Sequence, residues 1–195
     1  MVKINRDVVI GEALELLDEV GLDAVSTRRL AQRLGVEQPS LYWHFRKKSD
    51  LLSGMAQAAM LGHAEAPLPD DSDEWQAWFV ENYRSFRLTL LHHRDGARLH
   101  AGLLPGQADY ERILLKQAFL VASGVPVRDA QMAMLAASRF TVGSVLEEQA
   151  DPESDLGERA AVELGAPRID HESAFEDGLR LIVEGLRARV EKEPG

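Results

Sequence analysis

Apolar side chains recur three or four positions apart along almost the whole chain of 195 residues. The first such stripe starts at Val9, continues through Leu17 to Val20, and is followed by Gly21. This spacing places the side chains on one face of an α-helix, whereas a half-buried strand would need strict alternation. No part of the sequence alternates in that way. The pattern therefore predicts an all-α fold.

Residues that favour helix ends divide this pattern into separate helices. Asn5 is the expected N-cap of the first helix, and Ser26 or Thr27 is that of the second, which Gly35 would end. Pro39 suits the first turn of a third helix, because its missing N–H is not needed there. Further helices are expected over 48–63, 75–91, 107–123, 127–149 and 171–191, with an acidic loop over 151–170.

The net charge of −10 opposes binding to nucleic acid, but the charge is unevenly distributed. Residues 1–50 carry eight Lys or Arg and eight Asp or Glu, so the whole negative excess lies in residues 51–195. Within residues 26–48, six basic residues accompany a single acid, Glu37. Such local positive charge on an acidic protein is typical of a small nucleic-acid-binding domain joined to a larger body.

The sequence also argues against several classes of protein. There is no cysteine, so disulfides, thiolate metal sites and cysteine nucleophiles are excluded. The N-terminus lacks the apolar core of a secretory signal, and no run of about 18 apolar residues exists, so we expect a cytoplasmic protein. Motifs of metalloproteases and phosphate-binding loops are missing, and the HRD triplet at 93–95 lacks the other parts of a kinase. We therefore expect no enzyme; hydrolysis by His100 and Glu147 is the alternative.

The second and third predicted helices, joined by LGVE at 34–37, form a helix-turn-helix with the first. The third helix has room for one buried face, which Leu41 and Phe45 would fill. Its polar and aromatic side chains then point outward. We expect the following residues to contact DNA: Thr27, Arg28, Gln38, Pro39, Ser40, Tyr42, Trp43, His44 and Lys48.

These side chains suit different parts of a DNA duplex. Gln38 can bond adenine bidentately, and Arg28 can bond guanine. Hydroxyl and imidazole groups can donate to phosphates. Lys48 brings positive charge to a helix N-terminus, which itself attracts a phosphate. The alternative is that Tyr42 and Trp43 pack against the body of their own domain.

The motifs of this chain resemble those of the TetR family of transcriptional repressors and, within it, the branch of tetracycline repressors. The matching segments include STRRLAQRLGVEQPSLYWHFRKKSDLL, SFRLTLLHHRDGARLH, RFTVGSVLEEQ and AFEDGLRLIVEGL. The resemblance implies a homodimer, with a helix-turn-helix DNA-binding domain at 1–47 and a ligand-binding and dimerisation domain at 48–195. It implies pairing through the helices at 127–149 and 171–191. It also implies a palindromic DNA operator and a small-molecule inducer that releases it.

The resemblance further implies a site for a magnesium–tetracycline chelate. Asn82 and Phe86 match ligand-contacting positions and lie four residues apart on one helix face. His100 matches the histidine that binds Mg²⁺ directly, and Glu147 matches a carboxylate that holds the ion through water from the partner chain. A hydrogen-bonded core histidine is the alternative for His100.

Other positions of this expected ligand site depart from the family pattern. Leu103 replaces a threonine, Lys116 a glutamine and Arg139 a histidine. A buried, unpaired cation is costly, so Lys116 and Arg139 should meet carboxylates or an anionic part of a ligand. If they do not, they are solvated or interface charges. The alternative to a magnesium-chelated, tetracycline-like effector is therefore an anionic polycyclic effector without metal, or no effector.

Overall fold

A computed structural model describes residues 5–70, 74–101, 106–150, 163, 165 and 170–191. Every regular element in these residues is helical, which confirms the all-α prediction. The helices are α1 (Arg6–Val20), α2 (Thr27–Leu34), α3 (Gln38–Leu41), α4 (Lys48–Ala59), α5 (Leu61–Ala64), α6 (Trp75–Leu91), α7 (Gly96–Ala101), α8 (Gln107–Ala122), α9 (Val127–Ala150) and α10 (His171–Val190). Across the described ranges, no helix is long and apolar enough to span a membrane.

The chain divides into two compact units. The first unit comprises Met1–Ala66 and Leu88–Leu104, and the second comprises Pro67–Arg87 and Pro105–Gly195. Most of α6 belongs to the second unit, while its last turn and α7 belong to the first. The predicted loop over 151–170 lies almost wholly outside the described residues.

Local sequence chemistry sets the ends of the first two helices. The Asn5 side chain accepts the N–H of Val8 at 2.8 Å, and the Ser26 hydroxyl accepts that of Arg29 at 3.3 Å. Each bond satisfies a backbone donor that the first turn of a helix leaves open. Gly35 ends α2 in the left-handed conformation, with φ of 66°. All three of these predicted helix ends are confirmed.

Two predicted helices are shorter in the structure. The helix expected over 48–63 ends at Ala59, and one further turn, α5, follows from Leu61. Gly62 lies in that second piece, and glycine lowers helix propensity by about 1 kcal/mol relative to alanine. Helix α3 is a single turn, so residues 42–44 form a turn beyond it rather than part of the helix.

The core of the first unit forms where α1 packs against α2 and α4, and α4 packs against α7. Its buried residues are Val9, Ile10, Ala13, Leu16, Leu17, Val25, Leu30, Ala31, Leu41, Phe45, Leu51, Met55, Ala56 and Leu99. Around this core, Arg33 of α2 bonds three carboxylates of α1: Glu12 at 2.7 Å, Glu15 at 2.6 Å and Glu19 at 2.6 Å. This cluster fixes α2 on α1 at the surface.

The HRD triplet has a structural role at the turn between α6 and α7. Asp95 has φ of 56°, and its carboxylate accepts the N–H of Leu22 at 2.8 Å. Asp18, in the last turn of α1, accepts the backbone N–H of Arg94 at 2.9 Å and pairs with His93 Nδ1 at 2.9 Å. These bonds tie the turn to the end of α1, so the triplet needs no catalytic explanation.

In the second unit, α9 packs against α10 and α8. Its fully buried side chains include Phe79, Leu120, Val125, Phe175, Leu179 and Val145. Phe140 of α9 stacks on Phe175 of α10, with the ring centroids 5.5 Å apart. Gly178 lies beneath the Phe140 ring, which occupies the position that a β-carbon at residue 178 would take. The missing side chain therefore lets the two helices approach closely.

The close approach of Gly96 to Leu90 generates a testable prediction for the first unit. A β-carbon at residue 96 would collide with the carbonyl oxygen of Leu90, a backbone atom that cannot rotate away. We expect Gly96→Ala to lower the free energy of unfolding by about 1–3 kcal/mol. Urea unfolding followed by circular dichroism measures this change.

Gly62→Ala is the matched control, because nothing lies within 4 Å of a β-carbon built at that helical position. This variant should be neutral or more stable by up to about 1 kcal/mol, since alanine favours helix. Equal unfolding midpoints for the two variants would contradict the packing described at Gly96.

Candidate nucleic-acid interface and ligand site

The third helix and the turn after it present an aromatic and polar surface. Leu41 and Phe45 are 2% and 3% exposed, whereas Tyr42 and Trp43 between them are 51% and 90% exposed. The alternative in which the two aromatic residues pack against their own domain is therefore wrong. The other residues expected to contact DNA are exposed or half-buried: Thr27, Arg28, Gln38, Pro39, Ser40, His44 and Lys48.

Gln38 is held in a defined orientation at the start of α3. Its amide nitrogen donates to the Thr27 hydroxyl at 2.9 Å and to the Tyr42 hydroxyl at 3.3 Å. An amide carries two N–H donors, so both are engaged and the carbonyl oxygen is left to accept from a base. Bidentate contact with adenine also needs a donor. The longer bond, to Tyr42, is the one that such a contact would replace.

Positive charge surrounds this surface, but one of the six basic residues of segment 26–48 does not contribute to it. Arg33 bonds the carboxylates of α1, and these bonds, Glu19 first, raise the pKa of its guanidinium further above its usual value. The other five basic side chains are exposed: Arg28, Arg29, Arg46, Lys47 and Lys48. The exposed charge therefore comes from both ends of the segment.

Lys48 begins α4, where we expect a phosphate contact. The Asp50 carboxylate already accepts the backbone N–H of Lys47 at 3.1 Å and so caps this helix. A carboxylate at that place competes with a phosphate for the positive end of the helix. The side-chain charge of Lys48, rather than the helix N-terminus, is thus the stronger attraction for a phosphate.

The structure brings together Asn82 and Lys116 in the second unit. Lys116 of α8 is 8% exposed, and its ammonium group donates to Asn82 Oδ1 of α6 at 2.6 Å. Phe86, one turn after Asn82, is buried. Lys116 thus bonds Asn82, another residue of the expected ligand site. From the sequence, the expected partner is a carboxylate or an anionic part of a ligand.

Burial lowers the pKa of Lys116 to about 8, and the positive charge of Arg112 contributes to the same shift. Both causes disfavour the charged form: the first removes water from the ammonium group, and the second repels it. The carbonyl oxygen of Asn82 is a neutral acceptor and offsets only part of this cost.

The remaining expected ligand and metal residues are distributed over both units. Arg139 and Glu147 are exposed on α9 in the second unit. His100 is half-buried in the first unit, beside a small apolar pocket that Met60, Leu90 and Leu99 help to line. Leu103 lies outside the described residues.

A magnesium site within one chain therefore has little support from the donor set. Within the ranges that the structure covers, no three His, Asp or Glu side chains come together as metal ligands. Mg²⁺ prefers six oxygen ligands and keeps several waters.

Comparison with known proteins identifies the family. Residues 9–55 match the bacterial regulatory proteins of the tetR family. Residues 67–168 match a second profile, that of the tetracyclin repressor-like C-terminal domain. The chain belongs to the TetR family. Its exposed aromatic surface and the paired Lys116 and Asn82 fall within the first and second matched ranges respectively.

The chain is similar to tetracycline repressors and other regulators over nearly its full length. Tetracycline repressor protein class A from transposon 1721 of Escherichia coli is 45% identical, with 97% of this chain and 93% of that protein covered. SCO0253, a TetR-family transcriptional regulator from Streptomyces coelicolor, is 63% identical, with a TM-score of 0.73 and coverage of 95% and 99%. TetR class A in complex with 5a,6-anhydrotetracycline and magnesium is 42% identical, with a TM-score of 0.76 and coverage of 93% and 97%.

Arg87 is a residue of this TetR-family chain that the sequence reasoning missed. It is 8% exposed, bonds Glu148 at 2.8 Å, and lies over the ring of Phe175, 5.2 Å from its centroid. The signal was available, because Arg87 follows the buried Tyr83 by four residues and so lies on the apolar face of α6. Its contacts join α6, α9 and α10 next to Glu147.

Because the pKa of Lys116 is lower in the folded chain than in the unfolded chain, the free energy of unfolding depends on pH. The pKa of this lysine is 10.5 in the unfolded chain and about 8 in the folded chain. Between these values the unfolded state binds more protons, so the stability of the folded state rises with pH. Relative to Lys116→Gln, the native chain should therefore gain stability from about pH 8 to about pH 10.5.

Urea unfolding of both proteins at several pH values across this range measures the difference. The comparison with Lys116→Gln removes the contributions of all other titrating groups, which the two proteins share. A constant difference between the two unfolding free energies would contradict the burial of a titrating amine at residue 116.

Proposed function

We propose that this chain is a homodimeric repressor that binds a palindromic DNA operator and is released from it by a small-molecule effector. Residues 1–47 would bind DNA, and residues 48–195 would bind the effector and pair the two chains, with α4 linking the two functions. The observation that carries the proposal is the outward surface of α3 and the turn after it, where Trp43 is 90% exposed and Gln38 is oriented by its bonds to Thr27 and Tyr42. A large exposed aromatic side chain on a polar, basic surface marks a binding site.

The relatives support the same function. The matched profiles and the class A repressor are described as regulatory proteins and repressors, which supports a regulator rather than an enzyme. Because the proposed target is operator DNA, we place the protein in the cytoplasm. Release requires that the effector bind the DNA-incompetent state more tightly, and a shift from almost all bound to almost all free needs about 5.5 kcal/mol of preference.

Magnesium enters this proposal with the effector. A solved structure of the related TetR class A holds it in complex with 5a,6-anhydrotetracycline and magnesium. In this chain His100 would give the ion one imidazole nitrogen, and the partner subunit's Glu147 would approach it through water. The ion would supply charge that fixes the orientation of a chelating ligand.

Exposed apolar residues support pairing of two chains. Met132 and Leu135 of α9 are 50% and 42% exposed, and Leu181 of α10 is 69% exposed. Arg139 follows Leu135 by four residues and therefore lies on the same face of α9. We propose that this face of α9 and α10 packs on its copy around a two-fold axis, which also gives Arg139 an interface role.

The function is tested by a band-shift titration with DNA that adjoins the gene of the protein. Specific, salt-dependent binding is expected.

Gln38→Ala and Arg28→Ala should each cost about 1–3 kcal/mol of binding free energy and relax the sequence preference at one base pair, because they remove a contact to a base edge. Lys48→Ala should weaken binding to all sequences alike and reduce the salt slope by about one.

Arg180→Ala serves as the control, because it removes an exposed cation of α10 that pairs only with its neighbour Asp177 among the described contacts. This variant should bind the operator like the native protein. If Gln38→Ala and Arg28→Ala also kept full affinity and preference, the assignment of the reading surface would be wrong.

Pairing is tested by Leu181→Asp, which places a charge on the proposed interface. A carboxylate buried against an apolar surface is costly, and the two-fold axis doubles the effect. We expect the dimer dissociation constant to rise by about 100-fold or more in sedimentation velocity. Leu88→Asp, at a leucine that is 64% exposed on α6, is the matched control and should stay dimeric. Two equally dimeric variants would argue against this interface.

A further inference from the structure

Arg6 is an exposed cation of the first unit whose charge the fold itself does not explain. It is the first residue of α1, where the positive end of the helix dipole disfavours a cation. The Asn5 side chain already caps this end by accepting the N–H of Val8. Among the residues that the structure describes, no carboxylate lies within ion-pair distance of Arg6. Neither helix formation nor ion pairing therefore accounts for an arginine at this position.

The guanidinium group of Arg6 has a defined place beside the surface proposed to bind DNA. It lies over the ring of Phe45, with Cζ 5.3 Å from the ring centroid. One of its terminal nitrogens lies against Gly54 of α4, 3.4 Å from the position that a β-carbon there would take. A cation is attracted to the face of an aromatic ring, and the missing side chain at residue 54 leaves room for it.

Phe45 places this cation close to the expected DNA contacts. The phenylalanine follows residues 42–44, which are exposed or half-buried, and precedes the exposed cations at 46–48. Consecutive Cα atoms are about 3.8 Å apart, so two residues on either side of Phe45 lie within about 8 Å of it. Arg6 thus brings a charge from α1 to a basic surface that otherwise comes from segment 26–48.

We propose that Arg6 binds a backbone phosphate of the operator, so that α1 contacts DNA together with α2, α3 and α4. Each DNA strand presents one phosphate per about 3.4 Å of the helix axis, so a cation beside the base-reading residues meets the sugar–phosphate backbone. A guanidinium group suits this role, because two of its N–H donors can bond two phosphate oxygens at once. The proposal rests on the operator binding proposed above, and it adds a contact residue outside segment 26–48.

The competing explanation is that Arg6 only covers the ring of Phe45. The two roles differ in how binding depends on salt. A phosphate contact releases counterions from the DNA, so its loss reduces the dependence of affinity on salt concentration. Loss of a contact with Phe45 alone lowers the free energy of unfolding and leaves the salt dependence of DNA binding unchanged.

The experiment compares the full-length native protein with Arg6→Gln and Arg6→Lys in band shifts from about 50 to about 200 mM salt. Each protein is titrated with the DNA that adjoins its gene and with an unrelated duplex of equal length. Arg6→Gln should reduce the salt slope by about one for each bound protomer and weaken binding to both duplexes by the same factor. Arg6→Lys should keep the native slope, because it keeps the charge.

Two further variants complete the comparison. Arg6→Met retains an unbranched apolar chain that can pack on Phe45, so it should stay folded in urea unfolding and show the same reduced slope as Arg6→Gln. Arg128→Gln removes an exposed cation of α9 and should bind both duplexes like the native protein.

The outcomes separate this inference from the proposed function. A native salt slope in Arg6→Gln and Arg6→Met, or an equally reduced slope in Arg6→Lys, overturns the inference. A loss of affinity confined to the DNA that adjoins the gene also overturns it, because a phosphate contact carries no sequence information. In each of these cases specific binding by the native protein still supports the proposed function. A native protein that binds neither duplex would overturn both.

Discussion

The burial of Leu41 and Phe45 orients the surface on which the proposed DNA binding depends. A single helical turn has little stability of its own, so α3 takes its position from these two anchors in the core of the first unit. Because Leu41 and Phe45 both face the core, Tyr42 and Trp43 between them face solvent. The hydrogen bonds from Gln38 to Thr27 and Tyr42 then fix one polar side chain on a surface that the core has already oriented. A rigid scaffold lowers the entropy lost when such a surface meets its partner.

The features that the sequence predicts well are local ones. Asn5, Ser26 and Gly35 act within one turn of their own helices, and the spacing of three and four marks the buried face directly. The missed features join segments distant in sequence: Arg33 meets the acids of α1, and Lys116 meets Asn82 from a helix 34 residues away. Nothing in the neighbourhood of either residue indicates these partners. The family resemblance marked positions 82 and 116 as members of one site, but only the coordinates show that the two side chains bond each other.

Arg33 and Lys116 carry the same charge in different surroundings. Arg33 is partly exposed and bonds three carboxylates, so its charge is fully matched and its role is to hold α2 on α1. Lys116 is buried and donates to the neutral amide oxygen of Asn82. The carboxylates raise the pKa of Arg33, whereas burial lowers the pKa of Lys116 to about 8.

The contact between Gly178 and Phe140 links side-chain volume to assembly. Because the phenylalanine ring fills the space over the glycine, a larger residue at 178 requires a smaller one at 140 or a wider gap between α9 and α10. Both helices carry the apolar residues through which we propose that two chains pair. A larger residue at 178 together with a smaller one at 140 would leave that surface intact. A larger residue at 178 alone would move α9 and α10 apart and so distort the surface. Among homologues, the two positions should therefore covary, and a mixed dimer of chains that differ there should assemble less readily than either pure one.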